Sequence, residues 1–242
     1  KLEKGYVGYK LYMKGLKGGH SGMEIILGRG NSNKLLFRFL KAATKKYKLR
    51  MSSVDGGSLR NAIPRESFAI VAVPERYTEK FLAGVAEYEA IYKSELSAVE
   101  PDLAFFAEPT DAPKHVFKNK SQKNLINAIY ACPNGVIRMS DAMPGLVETS
   151  TNLARVVSED GVVTIQALLR SSVNSAKEDL GQAIVSTFVL AGGKVKLEGE
   201  YPGWKPNMDS PILKTMQEVY NKKYGKVPEI KAIHAGLECG LV

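Results

Sequence analysis

Any acid–base or metal chemistry in this sequence has to start from three histidines, His20, His115 and His234. None of them stands in HExxH, HxD or HxH, the spacings that bring two donor atoms to one metal. No two glutamates are adjacent and no GxSxG elbow occurs, so neither a paired-carboxylate base nor a serine nucleophile is set up. Gly28 to Lys34 (GRGNSNK) precedes a helical pattern as a phosphate cradle would. It lacks the GxxxxGK[ST] spacing, however, and its glycines read as loop punctuation.

Three residues still have chemistry to offer. His20 lies in GGHSG, where flanking glycines let backbone or ligand approach the imidazole closely. It is either a loop histidine bonded to its own backbone or a donor aimed at an oxygen that gains charge. Arg170 ends the apolar run VVTIQALLRSS. Its guanidinium can fork two hydrogen bonds onto a carboxylate or form a structural ion pair with a neighbouring helix. Asn61, in RNAIPRE, either caps a tight turn or turns its amide to the same carboxylate. Residue types alone leave both options open at each position.

The elements that must hold these residues follow from periodicity. Val7 to Gly15 alternates as a strand, and Asn33 to Lys48 repeats as a helix with Asn31 or Ser32 as its cap. Leu49 to Val54 and Ser67 to Val73 read as strands around the turn DGGSLRNAIPR, Glu75 to Ala98 as a helix and Leu103 to Ala107 as a strand. This order, β-α-β-β-α-β, is the split arrangement of a ferredoxin-like module. A second copy is predicted from a helix at Gln122 to Ala131, strands at Val147 to Val157 and Val162 to Leu169, a helix at Ala176 to Leu190 and a closing strand at Lys194 to Gly199. The expected fold is therefore α/β, with two tandem β-α-β-β-α-β halves and antiparallel sheets over residues 1–200. Tyr201 to Pro206 (YPGWKP) suits neither helix nor strand. Ser210-Pro211 then opens a helix to about Tyr224, and Glu229 to His234 reads as a buried strand. One helix and one strand cannot form a core alone, so 201–242 is expected to be the return into a second domain.

Composition sets the outer limits. The 242 residues suffice for a substantial core, and 44% hydrophobic with 24% charged residues is ordinary for a globular protein. No apolar run reaches a membrane span of about 20 residues and no signal peptide opens the sequence, so no membrane is expected. A start at Lys1 rather than Met suggests a piece of something longer. Cys132 and Cys239 form no CxxC pair, which fits a cytoplasmic location. The net charge of +9 comes from lysines gathered at Lys41 to Arg50 and Lys114 to Lys123. They read as solvated faces, and no aromatic RNA-binding signature interleaves with them, so no nucleic-acid partner is expected.

Six stretches in order, KGLKGGHSG, GGSLRNAIPRE, CPNGVIRMSD, LVETSTN, EYPGWKPNMDSP and IHAGLECG, resemble the aminoacyl-histidine dipeptidases (cytosolic non-specific dipeptidases) of the M20 metallopeptidase family. The resemblance runs from end to end. It implies a two-domain enzyme whose catalytic domain holds two zinc ions and carries an inserted α+β lid, with this chain matching the lid and a short piece of the returning catalytic domain. By position, the resemblance makes His20 the lid histidine that stabilises the tetrahedral intermediate. Asn61 and Arg170 become holders of the dipeptide's terminal carboxylate, and Gly236 a backbone contact to substrate. The family's metal ligands would lie outside this chain, so no metal-binding residue is expected in it, and the chain alone is expected to hydrolyse nothing. The resemblance also implies a possible homodimer. The competing expectation is a free-standing ferredoxin-like module for dimerisation or binding, without catalysis.

Overall fold

The computed structural model describes residues 2–199, 203 and 207–234. Strand β1 (Tyr6–Lys14) leads through β2 (Gly19–His20) and a 3-10 turn to helix α1 (Ser32–Lys46). Strands β3 (Arg50–Gly56), β4 (Ala62–Ile63) and β5 (Ser67–Pro74), helix α2 (Thr78–Leu96) and strand β6 (Ala104–Thr110) follow. Then come α3 (Asn119–Ala131), β7 (Gly135–Met139), β8 (Val147–Glu159), β9 (Val162–Ser171), α4 (Asn174–Leu190) and α5 (Pro211–Tyr224). The expected mixed α/β fold with an antiparallel sheet is present.

The first half has the predicted β-α-β-β-α-β order, with its strands side by side as β6-β1-β5-β3. Alternation in β1 sends Tyr9, Leu11 and Met13 to the core. On α1, Leu36, Phe37, Phe39, Leu40 and Ala43 are buried while Lys41, Lys45 and Lys46 stay in solvent, so the basic run there is a wet helix face. Phe39 centres an aromatic cluster, 5.0 Å from Phe105 and 6.0 Å from Phe81 between ring centroids. Burying each such ring contributes about 1.5–3 kcal/mol. Asn31 caps α1, its side chain accepting from Lys34 N at 3.2 Å.

The second half does not repeat the first. It runs α3-β7-β8-β9-α4, and its strands extend the same seven-stranded sheet. Strand β8, with 13 residues, explains how. It carries β9 along one edge, and its other edge is shared between β7 near its start and β3 near its end, where Gly56 pairs with Val156. Strand β7, in CPNGVIRMSD, was not predicted. The predicted closing strand at 194–199 is absent because that segment lies exposed along α4, its Leu197 side chain 3.6 Å from where a Cβ on Gly181 would stand. The predicted buried strand at 229–234 is coil with no sheet edge beside it among the described residues. Helix α5 is present, with Pro211 in its first turn and no buried residue. No helix of the described residues is long and apolar enough to cross a membrane.

Candidate functional site

The loop that carries His20 is fastened at several points. Glu100, 1% exposed, accepts the backbone N–H of Lys17 at 2.7 Å on one oxygen and that of Gly30 at 2.9 Å on the other, which closes both ends of the loop. Within it, Glu24 accepts the N–H of His20 at 2.7 Å and pairs with Arg29 at 2.7 Å, while Arg29 donates to the Gly18 carbonyl at 2.6 Å. The His20 N–H, and then Arg29, hold the Glu24 carboxyl below its ordinary range. Gly19 has φ +134, and a Cβ there would stand 2.5 Å from Arg29 Nη1, so glycine alone lets this ion pair lie on the backbone. A two-residue ladder completes the frame, with His20 opposite Ala62 and Gly19 opposite Ile63.

The His20 ring is oriented by its own turn. Nδ1 accepts the N–H of Gly22 at 3.2 Å and that of Met23 at 3.1 Å. A ring nitrogen that accepts carries no proton, so this pattern assigns the proton to Nε2 and leaves a neutral imidazole with one outward donor. Burial, then the positive charge of Arg170, lowers the His20 pKa, against a smaller opposing pull from Glu24. The loop-histidine reading of His20 is what the structure shows: the ring bonds to its own backbone, and that bond leaves Nε2–H as an outward donor.

Arg170 reaches the same place from β9, directly opposite Ser150 of β8. The meeting point is Gly22. A Cβ there would lie 3.1 Å from Arg170 Nε and 3.1 Å from His20 Cε1, and would collide with the His234 carbonyl oxygen. His234 Nε2 is hydrogen-bonded to Ser150 Oγ at 2.7 Å. Burial, then Arg170, pushes its pKa down to about 4. A guanidinium, a neutral imidazole donor and a second neutral imidazole thus surround one buried glycine, and Glu24 on the His20 loop is engaged by Arg29 and backbone.

Asn61 sits beside this cluster. Its carbonyl accepts the N–H of Ser21 at 2.9 Å, and the residue lines, with His20, Lys17 and Arg65, a cleft of about 600 Å³ that Arg170 does not line. His20 is therefore the residue shared between Asn61 on one side and Arg170 on the other. Gly236 lies outside the described residues, two positions beyond His234, the last of them. Among the described residues no three His, Cys, Asp or Glu side chains gather as a metal-ligand set, so these residues do not fit a zinc site.

Sequence reasoning missed Glu100, Ser150 and Asn152. The last two had a signal in LVETSTN, where Glu148 to Asn152 are five consecutive polar residues, all buried, inside a strand. Buried polar groups are mostly hydrogen-bonded, and here Ser150 bonds to His234 and Asn152 to the Ala62 carbonyl.

The fold defines a class seen elsewhere. A peptidase dimerisation domain of the M20 type matches residues 11–100. The cytosol non-specific dipeptidase of Escherichia coli (strain K12) is 44% identical over 98% of this chain and 49% of that protein. The crystal structure of aminoacylhistidine dipeptidase from Vibrio alginolyticus superposes with a TM-score of 0.94 and 43% identity, over 99% of this chain and 49% of that one. Over its whole length the chain thus resembles the aminoacyl-histidine dipeptidases of the M20 peptidases, and it spans about half the length of these relatives.

Proposed function

We propose that the chain is the substrate-clamping part of a zinc-dependent dipeptidase of the cytoplasm that cleaves Xaa-His and other dipeptides. Residues 1–200 are the lid and 201–242 the return into a catalytic domain. The observation that carries this reading is the approach of His20 and Arg170 to one point at Gly22, with the His20 proton fixed on Nε2. In the reaction, Nε2–H of His20 donates to the carbonyl oxygen of the scissile bond as it gains negative charge, and a neutral donor fixed in advance does so without reorganising. Arg170 forks onto the dipeptide's terminal carboxylate, helped by the Asn61 amide and the backbone at Gly236. Zinc ions, if held by a catalytic domain outside the described residues, would supply the activated water and polarise the carbonyl. The chain by itself is non-catalytic.

Self-association belongs to the same proposal. The dimerisation-domain match over residues 11–100 takes in the end of β1 together with β3 and β5 and stops just before β6, the end strand of that part of the sheet, and an open strand edge is a ready pairing surface. The test is kinetic. In the full-length protein, His20→Ala is expected to lower kcat on a dipeptide by about 10²-fold or more with zinc content unchanged. Unchanged turnover in that variant, or no dipeptide hydrolysis by the full-length protein, overturns the reading.

A further inference from the structure

The ladder that joins His20 to Ala62 has only two residue pairs, too few to hold itself in water. It is held from below by Asn152. This side chain, 0% exposed, donates from Nδ2 to the Ala62 carbonyl at 2.7 Å and accepts on Oδ1 from Asn31 Nδ2 at 3.3 Å. Asn31 is itself fixed: it caps α1 through Oδ1 and donates to the Leu153 carbonyl at 3.0 Å. Ala62 follows Asn61 in sequence and faces His20 across the ladder. Two residues before Asn152 on the same strand, Ser150 lies opposite Arg170. One strand, β8, therefore connects the ribbon that bears Asn61 and His20 to the strand that bears Arg170.

We propose that Asn152 is a positioning residue that sets the distance between the His20–Asn61 ribbon and Arg170. The demand on this position is chemical. It must donate to a carbonyl and accept from an amide at the same time, within a dry interior, and a primary amide does both. Aspartate has the same shape but sets an oxygen against the Ala62 carbonyl; leucine offers neither group. The significance for a bound dipeptide rests on the function proposed above, whereas the placement of the ribbon does not.

Hydrogen exchange of this chain tests the placement without any substrate. In Asn152→Asp, backbone amides of residues 19–22 and 61–63 are expected to exchange about tenfold faster or more, as loss of one buried hydrogen bond implies, while amides of the β1–β5 ladder keep their protection. A merely structural role would loosen both regions together. Uniform loosening, or unchanged exchange at 61–63, overturns the proposal. Should Asn152→Asp not fold, Asn152→Ser withdraws the reach to Ala62 without adding charge, and the same regional pattern decides. In the full-length protein, Asn61→Ala and Asn152→Asp are expected to be non-additive in KM for a dipeptide. A regional exchange pattern in a full-length protein that cleaves no dipeptide would leave Asn152 as the positioning residue and remove the dipeptidase reading alone.

Discussion

Replacing Gly22 by alanine puts one methyl group where three parts of the site meet. Nothing in the Gly22 backbone conformation forbids alanine, because its φ is not in the left-handed region, so the effect comes from space alone. The new Cβ is tight against Arg170 Nε and His20 Cε1, at 3.1 Å each, so both must give by a few tenths of an ångström, and it collides with the backbone oxygen of His234. That carbonyl must withdraw by about 1 Å to restore a normal contact. The His234–Ser150 hydrogen bond, 2.7 Å long, cannot follow such a shift intact. Overpacking of this kind costs about 1–3 kcal/mol and the lost hydrogen bond about 0.5–1.5 kcal/mol, partly offset by the stiffer unfolded chain. Residues 231–234 should therefore detach from the GGHSG loop while the sheet stays folded. The assay is NMR titration of the histidines. In the parent chain His234 titrates at about 4 because burial and Arg170 disfavour its charge. In Gly22→Ala it should return toward 6.5. A His234 that still titrates near 4 in this variant, with the melting temperature unchanged, would refute the close approach on which the site is built.

The same depressed pKa makes the His234 contact pH-dependent. The detached segment binds a proton more readily than the docked one, so docking is full above about pH 6.5 and weakens as pH falls toward 4, visible as loss of the Ser150 contact by NMR. Docking that strengthens on acidification would contradict the neutral, buried ring. Glu100→Gln replaces one of two acceptors for backbone N–H groups by a donor, and should cost about 1–3 kcal/mol in a denaturant titration; an unchanged midpoint means the loop is not fastened there. In the full-length protein, Arg170→Lys should weaken dipeptide binding about tenfold, since an ammonium cannot fork onto a carboxylate, and equal affinity in a calorimetric titration removes the clamp.

Much of the fold was legible because period and burial agree. Leu36, Phe39 and Leu40 recur as a helix requires, Tyr9, Leu11 and Met13 alternate as a strand requires, and Asn31 stands where a cap belongs. Errors fell where partners decide. Lys194 to Gly199 alternates well enough for a strand but finds no edge, and Gly135 to Met139 becomes a strand only because β8 is long enough to be shared. In the site, His20 and Arg170 could be named from residue type and motif, but their meeting at Gly22 joins positions 150 residues apart and has no local signature. The supports were harder still. Asn152 and Glu100 act by accepting or donating to backbone groups far away in sequence, and such bonds depend on tertiary placement.

The protonation of one ring tests the central claim most directly. Long-range proton–nitrogen NMR on imidazole-labelled protein at neutral pH should show His20 uncharged, with Nε2 protonated and Nδ1 bare, because the N–H groups of Gly22 and Met23 point at Nδ1. A proton found on Nδ1, or an imidazolium at that pH, would mean that the ring offers no fixed neutral donor beside Arg170, and the account of the site would fail.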